Sequence, residues 1–370
     1  MSKLALLVNP IAGMGGRVGL KGTDGSEALE KARSLGADPI APKRAVKSLK
    51  VLCELKEDFE LVTYPRYMGE KEAIEAGFNP KVLGELGSSE TTPEDTKRAS
   101  KSFLKENVDL LLFAGGDGTA RDIMKVVGSE LPIIGIPTGV KMHSAVFANT
   151  PEDAGRLTAK FLSEDLPLRD AEVMDVNEQA FRRDEIETEL MGYVKTPYEP
   201  HLVQPGKVPT APTGNEKRDK KSIARFIVSV MSEDQIYIIG PGTTTRAIEE
   251  ELEIENPTTL GVDLIKNREI IAKDVREEEI LQTINDQPAT IIVSPIGKQG
   301  FILGRGNQQI SPKVIRKIGK EKIIVIATPT KIESTPKLKV DTGDKELDEE
   351  FQGHIPIIVG FGLKRMLPID

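Results

Sequence analysis

The chain has 370 residues, too many for one small core and too few for a long repeat array, so length alone favours two domains. Lys plus Arg number 50 against 58 Asp plus Glu, a net charge of −8 at pH 7, which excludes a surface built to track a nucleic-acid backbone; an acidic substrate must be held by local donors. Hydrophobic residues at 38% supply sizeable cores, and the lone Cys53 excludes an internal disulfide and a cysteine-based metal site, as suits a reducing, cytoplasmic compartment.

The opening apolar run Leu4–Val8 is too short for a signal peptide or a membrane span. It reads as a strand over 3–8 that enters a loop containing Gly13, Gly15, Gly16, Gly19, Gly22 and Gly25, followed by a helix capped by Ser26. Helix 42–56, strand 59–63, helix 69–76, strand 81–86 and helix 93–106 come next, the last with Pro93 in its first turn. The unbroken apolar run 108–114 reads as a strand covered on both faces of a parallel sheet, and 132–137 as a second, opening toward a helical stretch. This alternation predicts a parallel-sheet α/β nucleotide-binding domain over 1–165. From 166 the composition shifts to a second, strand-rich domain running to 354. It holds two strands, a proline-rich exposed loop over 196–214, strand 235–240, helix 243–253, a hairpin about Asn267, helix 276–285, and strands near 289–294 and 322–328. A last strand over 355–360 leaves residues 355–370 to complete the first domain, and a crevice is expected between the two.

The sharpest chemical signal is GGDGT, Gly115, Gly116, Asp117, Gly118 and Thr119, where a buried strand meets a helix. Glycine lets a phosphate approach the main chain there, the amides of Gly116, Gly118 and Thr119 can point at it, and the helix amino terminus adds positive potential. Asp117 would repel phosphate, so it is expected to accept a proton from a hydroxyl nucleophile or to hold a bridging metal; the plain alternative is an Asp-Gly turn. In the first loop Asn9, Gly13, Gly15, Gly16, Lys21 and Asp24 offer amides and charges of both signs. Val18 breaks the dinucleotide fingerprint and no GK[ST] occurs, so either a phosphate loop or a plain surface loop fits. Thr138, Gly139 and Lys141 end a second parallel strand and would form a wall beside GGDGT, with Lys141 neutralising phosphate charge. Gly242, Thr243, Thr244, Thr245 and Arg246 join strand to helix, with more hydroxyls than one cap needs. Arg305, Asn307, Gln308 and Gln309 suit a phosphate or carboxylate and an adenine or carboxamide edge, or merely a turn and a cap. Asp263, Asp341 and Asp344 are acidic candidates for Mg²⁺, the metal ligands otherwise being unassigned.

In this setting GGDGT resembles the superfamily that joins NAD kinases, diacylglycerol and sphingosine kinases and 6-phosphofructokinases. With NPIAGMGGRVGLKGTDG, GIPTGVKMHSAVFA, GPGTTTRAI, SPIGKQGFILGRGNQQISP and VDTGD, the chain is similar to the AcoX-like branch of the ATP-NAD kinases. That resemblance implies an NAD kinase-like α/β fold and transfer of a phosphoryl group from ATP, with Mg²⁺, to a hydroxyl, NAD being the favoured acceptor. It implies Asp117 as the base, the flanking glycines and Thr119 around the phosphates, and Asn177 and Glu178 in dinucleotide binding. A homo-oligomer binding small nucleotides, away from membranes and nucleic acids, is the expected form. The rivals are a nucleotide-binding regulator without catalysis, and a kinase of another small-molecule or lipid hydroxyl.

Overall fold

A computed structural model describes residues 2–16, 18–20, 26–55, 58–87, 91–139, 142–164, 166–176, 188–199, 202–203, 214–285, 287–297 and 299–370. The chain divides into two compact units, Met1–Met14 with Gly22–Lys207, and Gly15–Lys21 with Val208–Asp370.

The first unit contains β1 (Ser2–Val8), α1 (Ser26–Ser34), α2 (Ala41–Leu55), β2 (Phe59–Thr63), α3 (Glu70–Glu75), β3 (Lys81–Val82), α4 (Pro93–Lys105) and β4 (Leu110–Gly115). It continues with α5 (Asp117–Val127), β5 (Ile133–Pro137), α6 (Pro151–Ser163), β6 (Leu168–Val176) and β7 (Thr188–Pro197). Strands β1 to β5 form a parallel sheet in the order β3-β2-β1-β4-β5. Alternate side chains of the central strands go to opposite faces. Leu4, Leu6, Leu110, Leu112 and Ile134 pack with Leu49 of α2 and Leu157 of α6, whereas Ala5, Leu7, Leu111, Phe113 and Ile133 pack with Phe103 of α4 and Ile123 of α5. Every residue of β4 is buried, which is why its sequence is apolar throughout rather than alternating. The antiparallel pair β6 and β7 packs on α5.

The second unit contains α7 (Gly214–Val230), β8 (Ile236–Ile239), α8 (Thr243–Glu251), β9 (Asp263–Lys266), β10 (Glu269–Ala272), α9 (Glu277–Ile284), β11 (Ala289–Val293) and β12 (Phe301–Leu303). It ends with α10 (Pro312–Ile318), β13 (Ile323–Ile326), α11 (Pro329–Glu333), β14 (Lys339–Val340), α12 (Lys345–Glu350), β15 (Gly353–Ile358) and β16 (Lys364–Ile369). Its seven-stranded sheet runs β10-β9-β8-β11-β13-β15-β16, with β8, β11, β13 and β15 mutually parallel and the pairs β8/β9, β9/β10 and β15/β16 antiparallel. Ile236, Ile238, Ile291, Val293 and Val325 face one core with Ile280 and Ile315; Tyr237, Ile239, Ile292 and Ile326 face the other with Ile227 and Ile248.

Several sequence expectations change in detail. Residues 353–369 do not return to the first sheet: β15 pairs with β13, and β16 closes the edge of the second sheet. The hairpin β6/β7 packs within the first unit, because Ala171, Val173 and Val194 feed the core under α5. Residues 142–150 make bends and isolated bridges, and the next helix among the described residues is α6, where Thr150 Oγ1 accepts from Asp153 N. The strand expected over 81–86 is only two residues long. The turn at Asn267 holds, with Asn267 and Arg268 both at positive φ as a tight hairpin requires.

Candidate active site

In an open parallel sheet, ligands bind beyond the carboxyl ends of the strands, where neighbouring connections diverge. In the first unit that point lies between β1 and β4: β1 leads to β2 on one side, β4 to β5 on the other. A side-chain bond spans it. Asn9, just past β1, donates from Nδ2 to Thr119 Oγ1 at 3.0 Å, while its own Oδ1 accepts from Ile11 N and its backbone N bonds Ala114 O. Thr119 in turn lies over Gly115, where a Cβ would fall 2.5 Å from the threonine Cβ, so any larger residue there forces Thr119 to move. Gly13, at φ +80°, passes so close to Thr138 that a Cβ would stand 2.1 Å from its carbonyl oxygen. Asn9, Gly13, Gly115 through Thr119, Thr138 and Gly139 are thereby gathered at one end of one sheet. Gly116 caps α5 without a side chain and has open space above it.

Asp117 is buried, and its carboxylate faces the segment that follows β5: Oδ2 accepts from His143 N at 2.8 Å and Oδ1 from Ser144 N at 2.9 Å. Burial pushes this carboxyl up to about 6; the bonds from Ser144 and His143 oppose the shift but do not cancel it. Each oxygen keeps a lone pair beyond its amide partner, so the group can still accept a proton near neutrality. His143 contributes its backbone amide to this arrangement and is buried. Thr138 Oγ1 is buried with no hydrogen-bond partner among the described residues, an orphan at the strand end where the sequence expected a ligand contact. Two features escaped the sequence reading. Arg121, one turn into α5, bonds Asp175 of β6 at 2.6 Å and lies 3.3 Å from Asp122, and buried Arg44 of α2 donates to Pro137 O at 3.0 Å. Neither has a local motif, because both pairs join residues distant in sequence.

Of the remaining expected residues, Gly15 and Gly16 belong to the second unit. Lys21, Asp24, Lys141, Asn177 and Glu178 lie outside the described residues. In the second unit, Gly242 is the N-cap of α8 at φ +138°, Thr244 and Thr245 are fully buried, and Thr243 accepts from Lys220 at 3.0 Å. The hydroxyl of Thr245 turns back on Gly242 O. Arg246 is engaged within its own surroundings, by Thr259 at 2.6 Å and Glu250 at 3.1 Å. Arg305 is 3% exposed, pairs with Asp341 at 3.4 Å and lies over the Phe301 ring at 4.2 Å. Asn307 donates to Ile302 O, and Asn307, Gln308 and Gln309 are all buried.

The acidic Mg²⁺ candidates have structural employment instead. Asp263 accepts from Thr258 and from Asp274 N, Asp341 pairs with Arg305, and Asp344 caps α12 by accepting from Leu347 N and binding Arg316. No group of three or more His, Cys, Asp or Glu that could hold a metal occurs among the described residues. The described residues therefore supply no carboxylate cluster of their own for Mg²⁺. No helix among the described residues is long and apolar enough to cross a membrane.

Two family profiles match the chain: the ATP-NAD kinase N-terminal domain over residues 4–166 and the ATP-NAD kinase C-terminal domain over residues 232–368. The first covers all but the first two residues of the β1-to-β5 sheet, with GGDGT at its divergence point, and the second runs from just before β8 into β16. No curated protein matches the chain.

Proposed function

The chain belongs to the ATP-NAD kinase family, and from that premise, an ATP-dependent kinase, we propose that it phosphorylates a hydroxyl of a nucleotide or dinucleotide, converting NAD to NADP. One observation carries the proposal: a buried carboxyl raised to about 6 sits in the first turn of α5, at the divergence point of a parallel sheet, beside glycines open to a phosphate. In phosphoryl transfer the protein mostly positions the reactants and neutralises charge. The acceptor hydroxyl oxygen attacks the terminal phosphorus, its proton passes to an Asp117 oxygen, and ADP leaves with the electrons of the cleaved P–O bond. The amides of His143 and Ser144 hold the carboxylate still while this happens. The first-turn amides of α5 and the orphan Thr138 hydroxyl offer donors to phosphate oxygens. Mg²⁺ would arrive on the triphosphate, as it commonly does where a protein supplies few carboxylates, and would shield its charge.

A second reading draws on the same geometry. Asp117 already accepts two backbone amides, so it is also a clamp between α5 and the segment after β5, a role that a binding regulator without transfer would keep. Incubating the protein with γ-labelled ATP and a panel of acceptors separates the two. Label on NAD supports the kinase, label on another hydroxyl changes the acceptor, and nucleotide binding with no transfer leaves the regulator.

A further inference from the structure

The second unit has a divergence point of its own. Within this sheet β8 is followed by β9 on one side and β11 by β13 on the other, so the connections part between β8 and β11. Lys331, in the segment after β13, spans that gap: its Nζ donates to Thr244 Oγ1 at 3.2 Å on the β8 side and to Ser294 Oγ at 3.0 Å on the β11 side. The arrangement parallels the Asn9 to Thr119 bridge between β1 and β4, with a cation in place of an amide. Beside it starts α8, nine residues long and capped by Gly242 with no side-chain bond to its first turn.

A second observation points to a ligand at the same end of the sheet. The loop 304–310 packs on both sides of the gap: Ile310 lies 3.6 Å from where a Cβ on Gly240 would stand, and Ile296 lies 3.1 Å from where one on Gly306 would stand. Along that loop Asn307 Oδ1, Gln308 Oε1 and Gln309 Oε1 are buried at 5%, 9% and 5% exposure, with no hydrogen-bond partner among the described residues. Three orphaned acceptors in seven residues leave a cost that donors from outside the chain would relieve.

We infer that the crevice between β8 and β11 is a phosphate subsite in which Lys331, steadied by Thr244 and Ser294, holds a phosphate oxygen, while the loop amides accept from amino or hydroxyl groups of the same nucleotide. It rests on the kinase proposal only for the choice of nucleotides as ligands. A lysine suits a phosphate as a compact point charge, and the uncapped amides of α8 add donors at the required end.

The test is calorimetric titration of the full chain, wild type, Lys331→Met, Lys331→Arg and Ser294→Ala, with inorganic pyrophosphate, ATP, NAD and adenosine. Lys331→Met is expected to weaken pyrophosphate and at least one nucleotide roughly tenfold or more, with Lys331→Arg restoring part of it and adenosine unchanged. Whether ATP or NAD carries the loss identifies whose phosphates bind. Unchanged affinity for all three phosphate ligands, or an equal loss for adenosine, would make Lys331 a structural tie and overturn the inference. Should Lys331→Met fail to fold, Ser294→Ala decides: a weakening of pyrophosphate by roughly threefold or more supports the subsite and none refutes it. A wild type that binds pyrophosphate through Lys331 but transfers nothing to any acceptor would remove the kinase and leave this subsite standing.

Discussion

Asp117→Asn separates chemistry from architecture because the structure sets two stability terms against each other. At pH 7 the wild-type carboxylate is ionised although its folded value is about 6 against an ordinary 3.8, a gap of about two pH units, or about 3 kcal/mol of strain from burying the charge. Asparagine removes that strain. It also offers one acceptor where the carboxylate offers two, so either His143 N or Ser144 N loses its partner at a cost of about 1–3 kcal/mol. The terms nearly cancel, and the variant should unfold within a few degrees of wild type at pH 7. The sign reverses in acid. A value raised in the fold means that the carboxyl's stabilising contribution is complete below about 4 and is lost as pH climbs through about 6, so at pH 4 the variant should be clearly the less stable. Turnover should fall about 10²-fold or more while ATP affinity changes little, and wild-type kcat/KM should rise with pH to a plateau above about 6. Calorimetry and a coupled ADP assay over pH 4–9 measure both. Full turnover in the variant, with the stability behaviour as stated, would leave Asp117 as a clamp only and refute its role as the base.

Other outcomes follow from the same contacts. Glu249 of α8 is buried beside Asp263 and burial, then the Asp263 charge, push it up to about 9, so it resides in the fold as a neutral acid. Its contribution is present below about 4.5 and lost as pH rises toward 9. Glu249→Gln should therefore raise the unfolding midpoint at pH 8 by the equivalent of up to about 5 kcal/mol, from the roughly 3.5 pH units between 4.5 and 8, and no gain there would count against the neutral form. Gly115→Ala drives a methyl group into Thr119 and should cost about 1–3 kcal/mol and most turnover; a Tm equal to wild type would show that the loop yields freely. Asn9→Ala removes the bridge to Thr119 and should cost about 1 kcal/mol with a larger effect on KM for ATP than on Tm.

The parallel α/β character of the first half was legible because β1, β4 and β5 are apolar runs ending in glycine, proline or Asn-Pro, and position alone placed GGDGT at a strand end. What the sequence could not supply was register between distant segments. Arg121 finds Asp175 across 54 positions, and Asp117 finds the amides of 143 and 144 only once the segment after β5 folds over α5. Arg305 is a further case: its charge was legible, but not that Asp341, 36 residues on, and the Phe301 ring engage it. Lys331 was within reach, since ATPTK repeats the pattern of an apolar strand ending in a threonine, but its meeting with Thr244 and Ser294, 87 and 37 positions away, is a matter of tertiary register. The acidic Mg²⁺ candidates were legible only as carboxylates, because a cap, an ion pair and a turn engage such groups as readily as a cation does.

The glycine-rich segment Gly15–Lys21 belongs with Val208–Asp370, and Gly19 packs against Arg276 there, although the first unit's own β1 delivers it. During synthesis those few residues emerge early and must wait until the stretch about Arg276, more than 250 positions later, has left the ribosome. Maturation of the second half is consequently bound to a late closing event, and a fragment opened at residue 208 would begin life with a missing stitch that only the intact polypeptide provides.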